Sequence, residues 1–154
     1  MVATSWTPVT SQADADALMK LFGGFHDGCI REVHISAQSF VDSGMSMSIA
    51  SGVDTRVRLL IRRQWKDPSA VELLFAHIDT FHLRPSPENY DSIIYSATMI
   101  CRDRTLYWAD QAGWTPESPE RDDATWVAAK KLSWRDVSEW MGPDLRYGPG
   151  NAEI

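Results

Sequence analysis

Two short segments gather the side chains most able to do chemistry. His26 and Asp27 stand side by side ahead of Gly28, and such a pair at a turn can form a hydrogen-bonded dyad for acid/base work or for orienting a ligand. The competing reading is local: Asp27 caps the turn while His26 bonds a loop carbonyl, the commoner task of adjacent polar residues at a turn. The second segment is His77-Ile78-Asp79-Thr80-Phe81-His82. In a strand, alternation sends His77 and Asp79 to one face and His82 to the other. A zinc site needs three or four convergent ligands at about 2 Å, so this segment supplies two at most, and His26 or His34 would have to complete the set. The spacing matches neither a Cys/His finger nor a His-Glu-x-x-His helix, and the reading is of a chain with no metal and no cofactor.

A nucleophile is harder to find. Cys29 lies three residues from His26, but a reactive thiolate needs an exposed, electropositive setting and Cys29 opens an apolar strand in an acidic chain. Cys29 and Cys101 read as free, buried, hydrophobic thiols. No Gly-x-Ser-x-Gly elbow, dinucleotide-binding glycine pattern or Walker loop occurs, so the hydrolase, Rossmann and NTPase classes lack their mechanical parts.

Charge points toward binding. The net charge is -6 over 154 residues, which disfavours nucleic acid, because nonspecific affinity grows with the number of phosphates that Lys and Arg neutralise. One basic stripe, Arg56, Arg58, Arg62, Arg63 and Lys66 around Trp65, reads as a solvated strand face. Opposite in character is the run holding Asp110, Glu117, Glu120, Asp122 and Asp123 with Trp114 among them. An exposed aromatic within an acidic loop is suited to a basic protein partner, the charges steering encounter and the indole anchoring the complex. Trp114, Asp122 and Asp123 therefore join His26, Asp27, His77 and Asp79 as candidate binding residues.

These residues need a scaffold, and the pattern of the chain predicts one. Residues 11–22 form a short helix, with Ser11 as N-cap, Asp14 in the first turn and Gly23-Gly24 as the stop. A β-rich core then spans 25–132. Its first strand, 29–37, alternates Val33 and Ile35 with Glu32 and His34; the next sets Met45, Met47 and Ile49 inward against Ser46 and Ser48. Val57, Leu59 and Ile61 mark a third. Residues 71–79 are apolar on both faces, as a central strand would be, and 92–101 look alike. Arg102-Asp103-Arg104 breaks the chain before a returning arm, 105–109. A loop over 110–124 leads to a last strand at 125–132. Ser133-Trp134-Arg135-Asp136 opens a second short helix over 133–141, and 144–154 make a flexible tail.

Short connections between successive strands favour antiparallel pairing. The expectation is a single α+β domain: a curved antiparallel sheet or open barrel of six to seven strands, with a short helix at each end. No apolar run is long enough for a membrane span and the first residues carry no leader pattern, so a cytoplasmic location is expected.

Phe25-His26-Asp27-Gly28-Cys29-Ile30 leading into a strand, Val71-Glu72-Leu73-Leu74-Phe75, and Leu132-Ser133-Trp134-Arg135 together resemble small β-rich bacterial domains of unknown function, some of them immunity proteins of polymorphic toxin systems. The resemblance covers residues 25–135. It implies a binder that neutralises a partner, and identifies no catalytic residue. Sequence thus favours a non-enzymatic protein-interaction module, homo-oligomeric or paired with a basic protein. The alternative is a small-ligand-binding or metal-dependent enzyme built on the His/Asp cluster.

Overall fold

In the computed structural model, residues 5–49 and 55–148 are described. The chain begins with strand β1 (Thr7–Val9) and helix α1 (Gln12–Leu21). Ser11 caps the helix by accepting the Asp14 N–H at 3.1 Å, and Gly23 and Gly24, at φ of +60° and +68°, end it in a conformation that β-carbons resist. Ala15, Leu18 and Phe22 bury one face of this segment.

The strands that follow are β2 (Gly28–Ala37), β3 (Phe40–Val41), β4 (Met47–Ser48), β5 (Thr55–Arg63), β6 (Ala70–His82), β7 (Thr98–Arg102), β8 (Thr105–Ala109) and β9 (Trp126–Asp136). Seven of the nine form one antiparallel sheet in the order β2-β5-β6-β9-β8-β7, with β1 added to the edge of β9. β3 and β4 pair only with each other. The sheet is not closed into a barrel; its two outer regions touch through a single bridge between Gly28 and Ile94.

One face holds the main core: Val57, Leu59 and Ile61 of β5, Val71, Leu73 and Phe75 of β6, Leu106 and Trp108 of β8, and Val127 and Leu132 of β9, covered by α1 and Phe25. Phe25 packs edge-on against both Phe22 (4.9 Å) and Trp108 (5.7 Å), a geometry that the ring quadrupoles favour. The opposite face carries two smaller clusters. Trp114, Trp126, Ala109, Ala124 and Ala128 form one; Leu60, Ala70 and Val137, with Trp140 and Tyr147 against them, form the other. β6 is therefore a central strand packed on both sides, as its apolar run predicts.

Glu72 of β6 is wholly buried in that second face. Its oxygens accept from Arg135 Nε at 2.7 Å and Tyr147 Oη at 2.6 Å, with Arg58 3.9 Å away. Arg135 is itself held between the Trp6 and Trp140 rings, at 4.4 and 5.3 Å. Burial, then the Glu72 carboxylate, pushes the Tyr147 hydroxyl far above its ordinary ionisation range.

Four expectations about elements fail. No helix forms over 133–141, because Ser133–Asp136 continue β9: Trp134 sits opposite Leu73 and Arg135 opposite Glu72, and these pairings outweigh a local capping signal. The tail is docked as far as Tyr147, since Glu32 accepts the backbone N–H groups of Arg146 (2.8 Å) and Tyr147 (3.1 Å); residues 149–154 lie outside the described residues. The fifth strand starts only at Thr98, its first half being spent on crossing to Gly28. The strand expected around Met47 shrinks to the two-residue β4, with Met47 63% exposed. Cys29 and Cys101 are free but half-buried, not fully buried.

Candidate functional site

His26 and Asp27 lie where the two outer regions of the sheet meet. Asp27 N donates to Ile94 O (3.0 Å), Ile94 N to Gly28 O (2.7 Å) and Ala97 N to Gly24 O (2.9 Å). His26 adds a fourth link, its Nδ1 lying 2.7 Å from Tyr95 O; a carbonyl only accepts, so Nδ1 carries the hydrogen and Nε2 faces Asp27 Oδ2 at 3.5 Å. Gly28 is required there, since an added β-carbon would sit 2.8 Å from Phe25 O and 3.1 Å from Arg62 O. His26 and Asp27 thus belong to a clasp between 24–28 and 94–97, in which the carbonyl that His26 bonds lies 69 residues away.

The His77 segment does not converge on it. Asp79 occupies a bulge of β6 and pairs with Lys130 Nζ at 3.2 Å, while His77 adopts a positive φ of 52°. His82 Nε2 donates to the Asp122 carbonyl, 3.0 Å away. Among the described residues no group of three or more His, Cys, Asp or Glu side chains could hold a metal ion.

Trp114 corrects the largest expectation about the acidic loop. It is 3% exposed, donates Nε1–H to Arg121 O (3.0 Å), and packs 5.2 Å from Trp126 and 5.9 Å from Tyr107. Asp122 in turn accepts the Trp126 indole N–H at 3.0 Å. Residues 110–125 are therefore a lid over the second face of the sheet, fastened from within by their tryptophan, and Trp114 offers no anchor to a partner. Asp123 is exposed and carries its charge into solvent. At the base of the lid, Asp110 accepts the Thr125 N–H at 2.9 Å, and desolvation raises its carboxyl above the ordinary 3.8 despite that bond.

The surface that stands out is one the sequence pattern assigns to the core. Between β2 and β5 the chain extends beyond the sheet as an arm. Phe40 pairs with Ser48 and Val41 with Met47, and the tip is knitted by Asp42: its Oδ1 accepts the Gly44 and Ser46 N–H groups at 2.9 Å each, and its backbone N–H donates to Ser46 O at 2.9 Å. Met45, at φ +69°, completes the turn. Ile35, Phe40, Val41, Met45, Met47 and Ile49 are all exposed, Met45 at 83% and Ile49 at 78%. Only Asp42 carries charge between residues 35 and 49. Beside the arm, β2 is an edge strand, and among the described residues the Gly28–Ile94 bridge is the backbone pairing on its outer side.

The signal for this surface is present in the sequence: six apolar residues across a stretch with one charge, interrupted by Asp42-Ser43-Gly44, a turn that detaches a short hairpin from the sheet. Comparison of the chain with protein-family models, with curated proteins and with solved structures finds no match.

Proposed function

We propose that the protein is an interaction module that docks a protein partner through the apolar arm, residues 35–49, with the open edge of β2 beside it. The observation that carries this is the exposure of Phe40, Val41, Met45, Met47 and Ile49 on and beside one turn-locked hairpin, with Ile35 exposed on β2 next to it. Fully burying each such side chain is worth about 1.5–3 kcal/mol, and Val41 and Met47, paired across the hairpin, share one face of it. An isolated two-stranded hairpin is marginal on its own; Asp42 pre-orders this one, which lowers the entropy that docking must overcome.

The partner is a protein with an apolar groove, basic around its rim, since the acidic body of this chain (net charge -6) attracts positive charge at long range. The module acts by occupying that partner rather than by turnover, in keeping with the resemblance to immunity proteins. Phe40→Ser/Met47→Ser, prepared beside the wild type from the native host, tests this. Light scattering after size exclusion is expected to show the wild type in a discrete stoichiometric assembly, and the variant at the single-chain mass of 17.4 kDa with unchanged melting temperature. Wild type at single-chain mass, or a variant that keeps the assembly, contradicts the proposal.

A further inference from the structure

A second recognition site follows from a seam in the main sheet. On its outer edge β9 is paired by β8 over residues 126–129 and by β1 over 132–134. Residues 130 and 131 lie between, reached by neither strand. Phe75 and Leu132 face the main core, and so do Ala129 and the half-buried Ile78. Three residues therefore separate core positions that alternation would place two or four apart. The positive φ of His77 absorbs the change on β6; on β9 it leaves two adjacent lysines, Lys130 and Lys131, both exposed.

A cavity of about 380 Å³ opens at this seam, within the size range of small-molecule sites. Its accessible apolar lining is the exposed Pro8 and the half-buried Cys101, over a buried floor of Val9, Leu106 and Leu132, and its cations are Arg104, Lys130 and Lys131. Among the described residues no acidic side chain lines it, a local reversal of sign in a chain of net charge -6. Lys130 is engaged by Asp79 (3.2 Å) and Thr105 Oγ1 (2.8 Å). Arg104 and Lys131 make no ion pair among the described residues.

We infer that this cavity binds a small amphiphilic anion, a carboxylate with a short hydrocarbon body. Arg104 and Lys131 hold the carboxylate by charge-assisted hydrogen bonds, and the body lies on Pro8, Cys101 and the hydrocarbon stems of the cations. Both halves are needed: an anion alone gains little at solvent-exposed cations, where water competes, and an alcohol of equal length leaves the cations unpaired.

The site is independent of the arm and is tested separately. Amide chemical shifts of the isotope-labelled full chain are followed during titration with octanoate, octanol and acetate. Octanoate is expected to give saturable shifts centred on Leu106, Lys130, Lys131 and Leu132, and to bind at least about tenfold more tightly than either control. Arg104→Gln/Lys131→Gln, exposed positions whose change leaves the melting temperature unaltered, is expected to remove that advantage. No saturable shift with octanoate, octanol binding as tightly, or an unaffected double variant overturns the inference.

Discussion

The arm at 35–49 and the lid at 110–125 are both excursions from the sheet, and their surfaces are the inverse of what their sequences advertise. The arm is apolar and alternating, yet its side chains face water. The lid is acidic and aperiodic, yet it buries Trp114 at 3% exposure against Trp126 and Tyr107. Alternation reports that two faces differ in polarity; it does not report what lies opposite the apolar one. For Val57, Leu59 and Ile61 that is the main core covered by α1 and Phe25. For Met45, Met47 and Ile49 no element of the described chain supplies it.

The first way to break this comparison is at the lid. Trp114→Ala is expected to destabilise the fold by about 3–5 kcal/mol, because it empties a packed site over β8 and β9 and removes one of the two donors to the Arg121 carbonyl. Urea unfolding measures it, and a cost below about 1 kcal/mol would mean that the lid is not fastened by this side chain.

Asp110, at the base of the same lid, sharpens the comparison through pH. Its folded carboxyl is raised by desolvation, so the folded state binds the proton more tightly than the unfolded state does. The associated stability is fully present below the unfolded value and is lost as pH rises through the folded one. Asp110→Asn keeps an acceptor for the Thr125 N–H and escapes this penalty. Melting curves should show the variant gaining on the wild type as pH rises from about 3 to 7, and a gap that narrows over that range contradicts the assignment.

The smallest effect belongs to the arm. Met47→Ala should change stability by no more than about 0.5 kcal/mol, the usual size for a surface substitution. A cost of about 2–5 kcal/mol, as for a core methionine, would return Met47 to a buried strand and remove the basis for docking.

Much of the scaffold is legible in the sequence. Ser11 and Gly23-Gly24 bound α1, β5 and β6 follow from their apolar patterns, and the Asp103-Arg104 turn joins β7 to β8. The misreadings share a physical origin in long-range partners. Ser133-Trp134-Arg135-Asp136 has the spacing of a helix cap, but Arg135 is claimed by a glutamate 63 residues away. His26 and Asp27 look like a reactive dyad until Ile94 and Tyr95, nearly 70 residues on, are seen to be their partners. The seam at Lys130 and Lys131 is equally invisible locally, because it depends on where β1 and β8 stop.

Methionine oxidation tests the central claim most directly, since sulfoxide formation follows exposure and is read residue by residue from peptide masses. In the free chain under dilute peroxide, Met45 and Met47, 83% and 63% exposed, should oxidise rapidly while Met99, at 6%, stays protected. In the purified assembly, Met45 and Met47 should become as slow as Met99. Slow oxidation of Met47 in the free chain, or unchanged fast oxidation of both residues in the assembly, would contradict an exposed arm that docks a partner.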